Sequence, residues 1–330
     1  MVAAQAQTTT MTFTFTGDCT LGCNYSWFNA DISFVKTIER EGYDYPFKNV
    51  KDIFAQDDLT VINLENVLQD TNASRKSGRK YNFRGPTDYV NMIVQNSIEA
   101  CSLGNNHIND FNSRGVTSTK EALTGADIGW FIDKDIFYYE KDGVKVAFLS
   151  FWESSFNSHK KWLKTELPRL KAEEGVDFTV ICLHAGTEYR FKHAKTAEEK
   201  QHYAVDCGAD LVIGTHPHVL EGLEVYNDRL CFYSLGNFVF GGNRTFREGR
   251  IQSMLVQVTL TFEDGVYQSQ QATLIPVQIT GTMPKNNYQP FLLGGEEAQA
   301  VIDLIQDDTP FPLPAYVEGV GCVLEPVEAH

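Results

Sequence analysis

Five short apolar runs in this chain each stop at a residue able to bind a cation or move a proton. The run at 11–17 ends in Gly17-Asp18, and that at 58–64 in Asn63-Leu64-Glu65. The run at 98–103 leads into Gly104-Asn105-Asn106-His107, that at 178–183 into His184-Ala185-Gly186, and that at 210–213 into Gly214-Thr215-His216-Pro217-His218. Carboxylates, imidazoles and a carboxamide oxygen form a ligand set suited to Zn, Mn or Fe, with no thiolate needed. Singly, each residue has a plain structural reading. Asp18 is a turn former or helix cap, Glu65 a solvated loop carboxylate, Asn105-Asn106 a turn, and a lone His a satisfied core or surface residue. Their recurrence at five strand ends is what points to a metal site.

The elements that must position these residues follow a βα rhythm. MTFTFTG at 11–17 alternates as a half-buried strand does. The runs at 58–64, 98–103, 144–151, 178–183 and 210–213 are short and rich in β-branched residues, which suits buried strands. Helical stretches are expected near 31–41, 46–56, 86–96, 114–125, 161–174 and 195–207. Such alternation argues for an α/β layered domain. In open α/β sheets the crevice outside the carboxyl ends of the strands binds ligands, so side chains from separate strands meet there. His216 and His218, read as alternating on an extended segment, would point the same way. After 218 the pattern changes: 223–227 with 230–235, and 251–262 with 266–280, read as antiparallel hairpins about Asn227-Asp228 and Glu263-Asp264-Gly265. The tail from about 308 is Pro-rich and is expected as irregular surface chain.

Composition narrows the class. The 330 residues carry 28 Lys+Arg against 43 Asp+Glu, a formal charge of −15, and 42% hydrophobic residues. A chain of this kind buries a substantial core, and its acidity disfavours nucleic acid as a partner. No run reaches the length of a membrane span. The start, MVAAQAQTTT, lacks the features of a signal peptide; it reads equally as a flexible tail or as an export product whose signal was replaced by Met1. Seven scattered cysteines argue against a disulfide framework, with Cys101 and Cys182 inside apolar runs as core residues. His159, His193, His202 and His330 lack ligand-like context and read as surface residues, with His193 at the cleft mouth as the alternative.

The motifs GDCTLG at 17–22, NLE at 63–65, GNNHINDF at 104–111, HAGTEY at 184–189, GTHPHVLEG at 214–222 and YSLGNFVF at 233–240 resemble, in order, those of the CapA family. That family comprises poly-γ-glutamate capsule biosynthesis proteins related to calcineurin-like metallophosphoesterases. The resemblance implies a four-layer α/β/β/α sandwich of metallophosphoesterase type with one or two divalent ions (Mn, Zn or Fe) at the strand ends. Residues 1–11 would be a flexible tail, 12–280 the CapA-like domain, and 281–330 a C-terminal helix and Pro-rich tail packed on it. By the same resemblance Asp18, Glu65, Asn106, His184, His216 and His218 are metal ligands, and His107 with Asp18 forms the catalytic group. The wider superfamily begins Asp-x-His, whereas the third position here is Thr20. One imidazole is therefore missing beside Asp18, Glu65 and His218, while Glu65, Asn106, His184 and His216 form a complete set.

The implied reaction is phosphoester hydrolysis, with two ions clamping an anionic transition state and His107 either protonating the leaving oxygen or orienting the substrate. The alternatives are a non-catalytic partner that holds or exports poly-γ-glutamate, and hydrolysis of γ-glutamyl amides. RKSGRKYNFR at 75–84 and the basic residues after His184 could draw an anionic substrate in, which makes Arg79, Lys80, Arg84 and Arg190 candidate substrate contacts; a solvated basic loop is the plain alternative, and Asn237 is a further candidate that reads equally as bonding its own turn. Asn63, Asn105 and Glu188 are expected to sit behind the ligands and orient them, although Glu188 also reads as a helix-start residue. Ser234-Leu235-Gly236-Asn237-Phe238 is expected to close the cleft from the second sheet. The family suggests work outside or at a bacterial membrane, with capsule synthesis membrane proteins as partners.

Overall fold

The computed structural model describes residues 7–247 and 249–329. Its first strand, Thr8–Thr20, places Met11, Phe13 and Phe15 on one face while the alternate threonines face the other way, as the sequence period requires. The strand starts ahead of the expected 11–17 because Thr8–Met11 pair antiparallel with Leu260–Glu263. The expected flexible tail is thereby shortened, and its residues 1–6 lie outside the described residues.

Thr8–Thr20, Leu59–Leu64, Ala100–Ser102 and Gly129–Phe131 run parallel, in that order, through one sheet. The long hairpin Gln252–Glu263 and Val266–Gln278 extends that sheet antiparallel on the other side of Thr8–Thr20. The second sheet is ordered Leu223–Tyr226, Arg229–Phe232, Leu211–Thr215, Phe178–His184, Val144–Trp152 and Phe137–Lys141. Its inner four strands are parallel, and its edges are antiparallel hairpins. Cys23–Asn24, Phe83–Gly85 and Val67–Leu68 form a small third sheet.

Buried side chains from both large sheets meet in one cluster: Phe13, Phe15 and Val61 from the first, and Val146, Phe148, Val180 and Ile213 from the second. Ile62, Leu64 and Cys101, on the opposite side of the first sheet, pack with Phe34, Ile38, Met92, Ile93 and Leu123. Ala147, Leu149, Ile181 and Val212 of the second sheet pack with Phe156, Leu163, Leu167 and Leu170 of the helix Glu153–Glu173. Parallel strands buried on both faces explain why these runs read as continuous apolar stretches.

Several expectations are corrected. The helix Glu153–Glu173 starts eight residues before the expected 161, and Phe137–Lys141 and Gly129–Phe131 are additional edge strands. The strand Asn237–Phe240 pairs with Thr8–Thr20 (Asp18 opposite Asn237), so YSLGNFVF belongs to the first sheet and not the second. Behind the helix Gly295–Gln306, the tail adds two short strands, Cys322–Val323 and Val327–Glu328, to Val266–Gln278. All seven cysteines are buried free thiols.

Phe148 is fully buried between the sheets, with Phe13 at a ring distance of 5.4 Å. Phe148→Ala should cost about 3–5 kcal/mol, whereas Phe191→Ala, at an exposed position, should stay within about 0.5 kcal/mol. Denaturant unfolding of both variants checks the difference.

Candidate metal centre

The carboxyl ends of the central strands of both sheets open on one cleft. Asp18 reaches it through a close backbone approach: its N–H donates to the Gly236 carbonyl at 2.8 Å. A Cβ at Gly17 would lie 2.2 Å from that same oxygen, so only glycine fits. The register slips between Phe15 and Asp18 against Leu59–Leu64, which turns the Asp18 carboxylate inward. Asp18 Oδ2 then meets His218 Nδ1 at 3.0 Å, across 200 residues of chain.

A relay of carboxamides fixes the rest. Asn105 Oδ1 accepts the backbone N–H groups of His107 (3.1 Å) and Ile108 (3.0 Å), which settles its orientation. Its Nδ2 donates to Asn63 Oδ1 at 3.1 Å, so Asn63 Nδ2 faces Asp18 Oδ1 at 2.8 Å and His184 Nδ1 at 3.2 Å. Thr215 Oγ1 also lies 2.9 Å from His184 Nδ1. The other ring nitrogen, His184 Nε2, is left facing Asn106 Oδ1 at 2.9 Å and His216 Nδ1 at 3.1 Å.

Glu65 sits at the middle of these groups. It is fully buried, and neither carboxylate oxygen has a hydrogen-bond partner. Oε1 lies 3.6 Å from His184 Nε2 and 3.9 Å from both His107 Nε2 and His218 Nε2. Donors bound to one ion at about 2.1 Å stand about 3–3.5 Å apart, so these separations are near those of a shared cation. Asp18, Glu65 and His218 lie close enough together to hold a metal ion. Thr20 adds no donor; its hydroxyl bonds the Glu65 carbonyl at 3.4 Å.

His216 and His218 are not on extended chain. Both have positive φ (103° and 59°), and the turn they form brings their rings within 6.0 Å. Such backbone costs of the order of 1–3 kcal/mol per residue and concentrates at functional sites.

Burial shapes the ionisation. It drives Glu65 up to about 8, with the Asp18 charge adding to the effect. It pulls His184 and His216 down to about 3, so both imidazoles are neutral, the form that binds metal. Burial also opposes charge on His218, but Glu65 and the Asp18 hydrogen bond outweigh it and raise His218 to about 9. At Asp18 burial is again opposed, by His218, His184 and Asn63, and the carboxyl is held below its ordinary range.

The sequence reading missed Asp110. Fully buried, it holds His107 Nδ1 at 2.7 Å, the Phe83 N–H at 2.6 Å and Arg79 Nη1 at 3.0 Å. The signal was present as the i,i+3 spacing in GNNHINDF. Arg79 also donates to the Asn106 carbonyl at 2.8 Å, which spends this residue on holding the ligand loop. Arg84 is buried, bonded to Asn72 and the Gln69 carbonyl and stacked on Phe28. Lys80 lies over Tyr81, and Arg190 and Glu188 are exposed. Asn237 donates to the His218 carbonyl at 3.2 Å. His193 and His202 are not free surface residues: His193 bonds Asp308 and stacks on Tyr233, and His202 pairs with Glu224. His330 lies outside the described residues.

The model for the bacterial capsule synthesis protein PGA_cap matches residues 12–242. This chain belongs to that family. Two relatives are the capsule biosynthesis protein CapA of Bacillus anthracis, 27% identical over 84% of this chain and 71% of its own, and the PGA biosynthesis protein CapA of Bacillus subtilis (strain 168), 29% identical over 74% and 70%. A solved structure of a hypothetical protein from Thermus thermophilus aligns with a TM-score of 0.45 at 15% identity, covering 81% of this chain and 99% of that one. The PGA_cap family is thus associated with capsule polymer synthesis, and the strand-end motifs fall within its matched span. Among the described residues no helix is long and apolar enough to cross a membrane.

The buried Glu65 makes a pH prediction for the metal-free protein. Its folded pKa of about 8 exceeds the ordinary 4.5, so the stability it contributes is full below about 4.5 and is lost as pH rises through about 8. His218, raised from 6.5 to about 9, loses its contribution over a higher window. At pH 9, metal-free Glu65→Gln should melt above the wild type, with the gap closing toward pH 4.5. Added Mn²⁺ should raise the wild-type Tm and leave the variant unmoved. Thermal melts across pH, with and without Mn²⁺, read both effects.

Proposed function

We propose that this chain is a metal-dependent hydrolase of metallophosphoesterase type that serves poly-γ-glutamate capsule synthesis. One observation carries the reading: a fully buried Glu65 with both oxygens unpartnered, ringed by imidazole nitrogens at 3.6–3.9 Å. A buried carboxylate without partners is costly unless a cation meets it. Glu65, Asn106, His184 and His216 would hold one ion, and Asp18, Glu65 and His218 a second with fewer donors. A divalent ion here supplies Lewis acidity, generating a nucleophile at neutral pH and offsetting negative charge on the substrate.

The protein's own groups do the rest. Asp110 holds the Nδ1 side of His107, so Nε2 is the edge turned toward Glu65. As the oxygen of water bonds to phosphorus and the bond to the leaving oxygen breaks, His107 would donate a proton from Nε2 to that leaving oxygen, with Asp110 holding the ring at Nδ1. Phe83, whose ring centroid is 4.3 Å from that of His107, keeps the ring in one plane. The four-layer α/β/β/α arrangement belongs to the same reading and is supported by the three clusters that cover both faces of each large sheet. A second reading, hydrolysis of a γ-glutamyl amide by the same groups, is favoured by the relatives' association with PGA synthesis.

Asp18→Asn and His216→Ala should each lose bound metal and turnover together, measured by elemental analysis and by assays of phosphoesters against γ-glutamyl peptides with and without chelator. Full turnover in either variant would sink the proposal. His107→Ala should keep its metal and lose about 10²–10⁴-fold in kcat, while Asp110→Asn should lose about 10–100-fold.

A further inference from the structure

The loop bordering the metal centre is caught at its far end by one carboxylate. Residues 185–194 run from His184 to the helix Lys195–Asp206. Within them the Tyr189 N–H is tied to the Pro217 carbonyl at 2.7 Å, and the Tyr189 ring stands 5.8 Å from that of His218. The next three residues, Arg190, Phe191 and Lys192, are exposed. Phe191 borders an open cavity of about 430 Å³ together with Leu293, Val301 and Leu304, which leaves this stretch room to shift.

At His193 the chain is held again. Asp308, just past the helix Gly295–Gln306, accepts the His193 N–H at 2.9 Å through Oδ2 and meets His193 Nδ1 at 3.0 Å through Oδ1. The same Oδ2 accepts the Gly222 N–H at 2.9 Å. A Cβ at Gly222 would lie 2.0 Å from the Asp308 carbonyl oxygen, so this close approach requires glycine. The His193 ring lies flat on Tyr233, with centroids 3.8 Å apart. Three segments therefore meet at one side chain: the cleft loop, the stretch that follows His218, and the C-terminal segment.

Two groups here change charge near neutral pH. His193 faces Asp308 from the C-terminal segment, Glu198 of the helix Lys195–Asp206 at 3.8 Å from Nε2, and Glu224, which bonds the Tyr233 hydroxyl and pairs with His202. Asp307 and Lys192 complete the rim. The bond to Asp308 outweighs burial and holds the imidazole above its ordinary 6.5. Burial opposes charge on Asp308, but His193 and the two N–H groups keep its carboxyl low. Burial and Glu224 push Tyr233 up, so its hydroxyl stays neutral. Glu221, next to Gly222, is buried with neither oxygen partnered, and burial, with the Asp308 charge adding to it, drives it up to about 8. Both His193 and Glu221 are raised, so what they contribute is full below their ordinary values and is lost as pH rises, for Glu221 through about 8. Rising pH removes the charge that Asp308 attracts and creates one that it repels.

We propose that His193, Asp308 and Glu221 form a proton-operated clasp. Closed in mild acid, it fastens the loop beside the metal centre to the C-terminal segment, and it releases that loop as the medium turns alkaline. The device lies in the fold and stands or falls independently of what the metal centre turns over.

Hydrogen–deuterium exchange of the full chain, resolved to single amides and corrected for the intrinsic rate at each pH, tests it. The His193 and Gly222 amides should lose roughly tenfold in protection between pH 6 and pH 8.5, the difference between a charged and a neutral hydrogen bond, and amides 190–192 should follow. In His193→Gln/Glu221→Gln the protection should be equal at the two pH values. Undiminished protection in the wild type at pH 8.5, or a drop in the double variant as large as the wild type's, overturns the clasp. An NMR titration of the His193 ring in the wild type needs no variant: its midpoint should lie above 6.5, and a midpoint at or below 6.5 overturns the clasp as well.

Discussion

A carboxylate sealed from water with neither oxygen hydrogen-bonded is a state that folding works against, and Glu65 is in it. Without a cation the protein relieves the conflict by moving protons: Glu65 is pushed toward its neutral form and His218 toward its charged one. Around it, His184 and His216 are pressed neutral, and His216 and His218 occupy left-handed backbone. These are departures from local preference gathered at one spot, as at sites kept for function rather than stability. The large sheets carry that burden, because their buried clusters are contiguous and their central strands are covered on both faces.

Two sheets are needed because no single strand end holds enough donors. Asp18 and Asn63 come from neighbouring strands of the first sheet, and His184 and Thr215 from neighbouring strands of the second. Asn63 ties the halves together, since one amide group bonds Asp18 and faces His184. Asn105 in turn locks Asn63 through backbone groups that cannot rotate. A small displacement between the sheets would therefore break the orientation of ligands on both sides at once.

The strand ends were legible because each apolar run stops at a polar residue, with a glycine beside it at four of the five, and both β-hairpins because turn residues separate alternating segments. What stayed hidden depends on contacts that spacing does not encode. Phe137–Lys141 is an edge strand with charges and half-exposed aromatics, so its period is blurred. The first turns of Glu153–Glu173 are polar and carry little amphipathic signal, which concealed its true start. Asp110 looks like a turn residue until the fold seals it under His107. The expectation that His216 and His218 alternate on extended chain reached the right convergence by the wrong geometry, because positive φ at both residues makes a turn.

Thr20 connects the metal centre with a pair of arginines beside it. Its hydroxyl is turned to the Glu65 carbonyl, so Thr20 adds no donor to the group formed by Asp18, Glu65 and His218. An ion held by fewer donors is bound more weakly, and the positive charge it brings is less dependable. Asn237 and Tyr189 border this same side of the cleft through His218, and it is on this side that Arg247 and Arg250 stand. Guanidinium charge is permanent and needs no loading. In a chain of net charge −15, those two guanidinium groups put permanent positive charge beside the cleft.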